Sequence, residues 1–249
     1  MISRKAPISR NDDLMNPGHL GCPGCGATIA MKFALQALGE KTMVVIPACC
    51  WGVIAGPYPQ SALQVPILHT AFATAGAAAS GLRAALDMRG DTETKILSWA
   101  GDGGTFDIGF QSLSGAVERN EDCIFIPYAA TASIGYPEDM MRKFKKAGDL
   151  RGGSRFIHVL ATCPTGWRIG SELSVKIARQ AVQTNVFPLY EVEDGIRYTL
   201  NFKGDRKVKE YFTSQGRFKH LSDADINLIQ QQVDAEWDLL VRKAKLSSS

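Results

Sequence analysis

Residues 95–120 read KILSWAGDGGTFDIGFQSLSGAVERN. A short apolar run, KILSWA, stops at Gly101-Asp102-Gly103-Gly104, and 107–120 then carry apolar side chains at helical spacing. A buried strand that turns through glycine into a helix is the repeating unit of open α/β sheets.

The same alternation extends in both directions. Upstream, 74–88 (TAGAAASGLRAALDM) is an Ala- and Gly-rich helix whose small side chains permit close backbone approach. Residues 65–72 (VPILHTAF) and 42–48 (TMVVIPA) read as strands, the latter β-branched throughout and so buried on both faces. Residues 27–40 are a helix stopped by Gly39. Downstream, 123–128 (CIFIPY) is a buried strand, and 137–148 is a helix opened by Pro137 and closed by Gly148. Residues 155–164 (RFIHVLATCP) are a strand, with the helical segment 171–183 after it. Residues 1–20 form an irregular arm. The tail, 185–246, is a hairpin (185–202) followed by an amphipathic helix (221–246) lying across the body. The expected fold is one α/β domain over 1–249, a mostly parallel sheet with helices on both faces.

Composition narrows the function. With 45% hydrophobic and 21% charged residues the chain can build a core, which excludes a disordered tail. No run approaches the roughly 20 apolar residues of a bilayer span, and the first residues lack the apolar centre of a secretory signal. A cytoplasmic protein with no membrane partner is expected. A net charge of +3, without a basic stripe, argues against a nucleic-acid partner.

Four of the six cysteines fall within 22–50. In Gly21-Cys22-Pro23-Gly24-Cys25-Gly26 a tight turn brings two sulfurs to one side, and its free N–H groups can bond cluster sulfurs. Cys49 or Cys50, and Cys163 before Pro164, lie at predicted strand ends, and carboxyl ends of parallel strands gather at one edge. Of Cys49 and Cys50 only one is expected to face a cluster, because adjacent strand residues point oppositely. Spacing alone leaves structural zinc, an iron–sulfur cluster and a thioredoxin-like redox pair open. The last lacks its usual setting between strand and helix. Cys123, inside an apolar run, reads as a small buried hydrophobe.

The 101–104 turn is not a P-loop, since no GKS or GKT follows, and not GxGxxG. As a bare string GDGG is as common in tight turns as in ligand sites. Its place at a strand-to-helix switch favours a diphosphate beside the backbone and a helix start, with Asp102 on a bridging Mg²⁺.

Taken together, GHLGCPGCGATIA, ACCWGVIAGPYP, WAGDGGTFDIGFQSLSGAVERN, TASIGYPEDMMRKF and TCPTGWRIG resemble the β subunit of 2-oxoacid:ferredoxin oxidoreductases, the family of pyruvate synthase and oxalate oxidoreductase. The likeness runs from about Pro17 to Arg168. It implies the thiamine diphosphate-binding fold of the diphosphate-binding type, thiamine diphosphate with Mg²⁺, and one [4Fe–4S] cluster. By motif position the cluster ligands are Cys22, Cys25, Cys50 and Cys163. The diphosphate turn is Gly101, Asp102, Gly103 and Gly104, with Asp102 on Mg²⁺, while Ala27 and Cys50 line the thiamine. The implied reaction is oxidative decarboxylation of a small 2-oxoacid under anaerobic conditions, with electrons passing singly to the cluster and then to ferredoxin. The glutamate that activates the cofactor lies on a partner in that family, so this chain supplies no catalytic acid or base of its own. Subunits of α and γ/δ type are implied, with coenzyme A a further possible ligand. The alternative is a zinc- or cluster-bearing subunit without thiamine chemistry.

The resemblance breaks at one place. In thiamine enzymes an asparagine answers the GDG turn and completes the Mg²⁺ shell, yet no Asn occurs here between Asn120 and Asn185. Ile126 and Pro127 look joined across a missing segment of several tens of residues. Three accounts compete: a longer chain of which these residues are part, an engineered deletion, and a natural divergence that gave up thiamine diphosphate. If 249 residues are the whole polypeptide, cofactor and Mg²⁺ binding should be badly weakened. The substrate is open between pyruvate and oxalate. Residues 62–64 and 72–75 lack the bulkier or charged side chains expected for pyruvate.

The remaining candidates have bland readings. His19 makes a local hydrogen bond, His69 and His158 are core histidines, and His220 is on the surface. The basic run 142–146 is a solvated helix end rather than a ferredoxin dock. Trp167 and Arg168 shield the cluster or meet a neighbouring subunit.

Overall fold

A computed structural model describes residues 13–57 and 59–247. Residues 1–12 of the expected arm lie outside them. The rest of the arm is irregular but docked: Leu14 and Met15 are buried, Met15 bridges Leu63, and the Asn16 N–H donates to the Ala62 carbonyl at 2.7 Å.

The elements follow in the expected order. Helix α1 (Gly26–Leu38) stops at Gly39, whose φ of +84° a side chain would resist. Strand β1 (Thr42–Pro47), a one-turn helix α2 (Cys50–Ile54), β2 (Ile67–Thr70), α3 (Ala75–Met88) and β3 (Lys95–Ser98) come next. A second one-turn helix, α4 (Asp102–Phe106), precedes α5 (Phe110–Glu118). Then come β4 (Ile124–Ser133), α6 (Pro137–Asp149), β5 (Arg155–Leu160), α7 (Pro164–Trp167), α8 (Ser174–Gln183), the strands β6 (Tyr190–Glu193) and β7 (Arg197–Leu200), α9 (Val208–Thr213) and α10 (Asp223–Leu246).

The sheet runs β2-β1-β3-β4-β6-β7, with β5 also paired to β4. β1 pairs in parallel with β2 and β3, as β4 does with β3 and β5, while β6 and β7 form the antiparallel hairpin. Helices cover both faces. In β1, Val44 and Ile46 face one core with Met31, Leu35, Met140 and Phe144 of α1 and α6. Val45 points the other way, to Ala79, Ile96, Leu113 and Ala116. Strand alternation thus gives both layers an anchor on one strand, and each fully buried Val or Ile contributes about 1.5–3 kcal/mol. The small residues of α3 act as expected: a Cβ on Gly76 would lie 2.8 Å from the Leu113 backbone nitrogen of α5.

Three expectations are corrected. Helix α6 does not close at Gly148 but runs on to Asp149. That glycine is buried, and a Cβ there would meet the Leu38 side chain at 2.8 Å, so it serves packing. The strand expected over 123–128 extends to Ser133, and it changes register on the way. Both Ile124 and Tyr128 pair with Arg155, and β3 holds β4 through the single pair Leu97–Ile124. The closing helix α10, expected to lie across the body, sits instead at the β7 edge of the sheet. It packs on α9 and β7, where Gln230 accepts the Val208 N–H at 3.0 Å and the Ser247 hydroxyl accepts the Tyr198 N–H at 3.0 Å. No helix among the described residues is long and apolar enough to cross a membrane.

Candidate active site

The carboxyl ends of β1, β3 and β5 open onto one cleft of about 550 Å³. Cys49, Cys50 and Trp51 come to it from β1, Gly101, Asp102 and Gly104 from β3, and Cys163 from β5, with Ala27 on α1 opposite. Six residues singled out in sequence therefore line one cleft: Ala27, Cys50, Gly101, Asp102, Gly104 and Cys163. Gly103 sits just behind, where a Cβ would press on the Phe72 ring at 2.9 Å.

The glycine turn differs from its expected form. It enters not α5 directly but the single turn α4, with Gly101 as N-cap. Thr105 donates its hydroxyl to the Gly101 carbonyl at 2.7 Å, and the Asp102 carboxylate accepts the Gly103 N–H at 2.9 Å. The carboxylate is exposed on the cleft wall.

The CxxC turn is held against the end of β5. The Cys25 N–H donates to the Cys22 carbonyl at 3.0 Å, and the Gly26 N–H donates to the Thr162 carbonyl at 2.9 Å. A Cβ on Gly26 would lie 2.8 Å from that oxygen. Gly24 has a φ of +70°, and its carbonyl accepts the Ser174 hydroxyl at 2.6 Å. His19 accepts the Gly21 N–H on Nδ1 at 3.2 Å, the local role expected of it. Cys163 caps α7, and its sulfur accepts the Gly166 N–H at 3.3 Å, the type of contact that stabilises ligated sulfur.

All six cysteines are free thiols, with Cys22, Cys50 and Cys163 exposed and Cys25 half-buried. Four soft sulfur donors at one sheet edge suit an iron–sulfur cluster or zinc in kind. Among the described residues, however, no three Cys, His, Asp or Glu side chains stand close enough together to hold a metal ion. Cys22 and Cys25 are not on the cleft wall. Nor does strand alternation separate Cys49 from Cys50, because β1 ends at Pro47. Cys49 is the extended N-cap of α2 and Cys50 its first residue, and both line the cleft. Cys123 is fully buried, and burial pushes its thiol up to about 12.

Aromatic rings form much of the wall. Trp51 and Trp99 meet edge to face at 6.4 Å, and Trp99 stacks on Phe144 at 6.2 Å. His158 is not a core residue. It lines the cleft within 5.1 Å of Phe106 and 5.2 Å of Phe187. Solvent still reaches it, yet burial among these rings holds its pKa below the ordinary value. His69 is exposed because β2 is the sheet edge. The basic run on α6 is bound to carboxylates: Lys143 is fully buried against Asp139, and Arg142 and Lys146 hold Glu191. Trp167 lines the cleft beneath Arg217, a residue that no motif marks.

Residues 49–129 match the family model described as "Thiamine pyrophosphate enzyme, C-terminal TPP binding domain". The chain is 40% identical over 290 residues to ketoisovalerate oxidoreductase subunit VorB of Pyrococcus horikoshii, covering 92% of this chain and 93% of that protein. It is 38% identical to pyruvate synthase subunit PorB of Methanothermobacter marburgensis, covering 90% and 96%. Its fold resembles that of 2-oxoglutarate:ferredoxin oxidoreductase from Magnetococcus marinus, with a TM-score of 0.53 and 19% identity over 66% of this chain and 70% of the other.

Proposed function

Because the chain belongs to the β-subunit family of 2-oxoacid:ferredoxin oxidoreductases, we propose that its cleft holds thiamine diphosphate with Mg²⁺ and that its four edge cysteines hold a [4Fe–4S] cluster. The observation that carries the reading is the meeting of Asp102, Cys50, Cys163 and Ala27 around one cleft, with Cys50 and Asp102 inside the segment matched by the thiamine family model. When bound, thiamine diphosphate would supply the carbanion and electron-sink chemistry that decarboxylation of a 2-oxoacid needs. The chain's own residues position and shield. Asp102 offers an exposed carboxylate for Mg²⁺, and Gly101, Gly103 and Gly104 let the backbone approach a diphosphate. Ala27 and Cys50 border the ring site, and the tryptophans keep water from it. Cys22, Cys25, Cys50 and Cys163 are the proposed cluster ligands, which would have to draw closer together than they stand here to share one cluster, with ferredoxin as the outside acceptor. The activating glutamate comes from a partner of α type, within an assembly that also holds γ/δ-type subunits.

For the substrate we favour a small 2-oxoacid with an apolar side chain, pyruvate or a branched relative, over oxalate. Trp51, Trp99, Phe106 and Phe144 make apolar walls, and among the described lining residues Arg217 carries the one guanidinium and no lysine is present. A second carboxylate would find little compensation there. Coenzyme A as acyl acceptor and a cytoplasmic location belong to the same proposal.

The join at Ile126–Pro127 favours a second reading for the chain as it stands. Proline is rare in an inner strand because it cannot donate to the ladder, and here β4 shifts register across it. The aligned span of 290 residues also exceeds the 249 of this chain, so the relative carries residues with no counterpart here. We read the join as the place where that segment is missing, which makes weak thiamine binding with a retained cluster the second reading. Reconstitution with partner subunits and a panel of 2-oxoacids separates the two. Reduction of ferredoxin by pyruvate, with iron and acid-labile sulfide present, is the expected outcome. Zinc without sulfide sinks both readings, and a cluster without 2-oxoacid-dependent reduction leaves the second.

A further inference from the structure

Arg217 lines the cleft, and its charge is met differently from that of the arginines bound to carboxylates. Arg83, Arg142 and Arg155 are each tied to a carboxylate. Arg217 is half-buried, yet no carboxylate among the described residues pairs with it. Neutral groups hold it instead. Its guanidinium lies 3.8 Å over the Trp167 ring and 4.5 Å from the Phe218 ring. Its Nε donates to Gln215 Oε1 at 3.0 Å, and Nη2 donates to the Tyr211 hydroxyl at 3.3 Å. Gln215 is itself 2% exposed and fixed by a 2.8 Å bond from its amide to the Tyr211 carbonyl.

A partly desolvated cation without a counter-charge is costly. A cation oriented by rings and neutral acceptors keeps its remaining N–H groups for an anion from outside, and a planar guanidinium matches a carboxylate in two parallel bonds. The cleft that Arg217 lines is the one that carries Asp102 and Cys163. The indole N–H of Trp51, 2% exposed and without a hydrogen-bond partner, lines it too.

We propose that Arg217 is the carboxylate-recognition residue of this cleft, holding the carboxylate of the 2-oxoacid from the Cys163 side while Trp167 fixes the guanidinium plane. The proposal rests on the function argued above. It adds the group that orients substrate, and it makes Arg217 a specificity determinant rather than a structural cation–π partner.

The first test is direct and needs no turnover. The 249-residue chain is titrated with pyruvate and with methyl pyruvate, following total tryptophan fluorescence, with Trp167→Phe as the control that identifies the responding ring. Pyruvate should quench it and the uncharged ester should not, with the pyruvate response lost in Arg217→Gln and kept in part in Arg217→Lys. In the assembled enzyme Arg217→Gln should raise KM for the 2-oxoacid about 10- to 100-fold, the range for losing a charge-assisted bond. The KM for coenzyme A and the cluster midpoint potential should not move. An unchanged 2-oxoacid KM overturns the proposal. So does a shift confined to coenzyme A, which would place a phosphate there, or one confined to the midpoint potential, which would make Arg217 a partner of the cluster. If the assembly oxidises no 2-oxoacid, the functional reading fails, and the fluorescence titration still decides on Arg217.

Discussion

At Gly26 one hydrogen in place of a methyl group lets the CxxC turn rest on the end of β5. Gly26→Ala would put its Cβ 2.8 Å from the Thr162 carbonyl and hydroxyl oxygens, an overpacking that costs about 1–3 kcal/mol. It should lower the denaturation midpoint and, by moving Cys25 away from Cys163, reduce the iron retained after anaerobic loading. Full iron content in a destabilised variant would show that the turn is not part of the metal site. At this scale the sequence was readable where chemistry clusters in a short word. The glycines around Cys22 and Cys25 signal a shaped turn, and GDGG signals backbone opened to a ligand. It was unreadable where a role arises from distant contacts. Arg217 sits in Gln215-Gly216-Arg217-Phe218 without a motif, and only the fold lays it on Trp167. His69 and His158 sit in apolar runs, and the edge place of β2 and the opening beside β5 keep them out of the core.

At the scale of elements, α3 and α5 touch backbone to backbone at Gly76. Gly76→Val would force the helices apart, since even a Cβ meets the Ser112 and Leu113 main chain. The expected result is a loss above the 1–3 kcal/mol usual for overpacking, read as a lower Tm by circular dichroism. An unchanged Tm would mean that the two helices are not in this contact in solution. β1 was readable because a continuous β-branched run can only be covered on both faces. The single turns α2 and α4 were not, because five residues are too short to show helical periodicity. They matter to the site all the same: α2 turns Cys49 and Cys50 onto one wall, and α4 sets Asp102 at the cleft. β4 misled for another reason, since the strand read over 123–128 continues past Pro127 to Ser133 with a shift of register on β5.

For the whole molecule, the order of elements and the single α/β domain could be argued from alternation alone. The place of α10 could not, because half-buried stripes do not say which surface covers them. The decisive whole-chain experiment concerns the join. Insertion of the corresponding VorB segment between Ile126 and Pro127 should tighten thiamine diphosphate binding at least tenfold by calorimetry, and intact mass should give 27.0 kDa for the parent. Equal affinity in both chains would remove the join as the cause of weak binding, and a larger parent mass would mean that the natural polypeptide already contains the segment. The one-pair contact between Leu97 and Ile124 carries a mechanical meaning as well. Between β3 and β4 the ladder has one rung among the described residues, and the two sides are joined instead through the shared core of β1, α1 and α6. Along that line the sheet is held by side-chain packing more than by its ladder, and the line borders the cleft, which Leu97 and Ile124 both line.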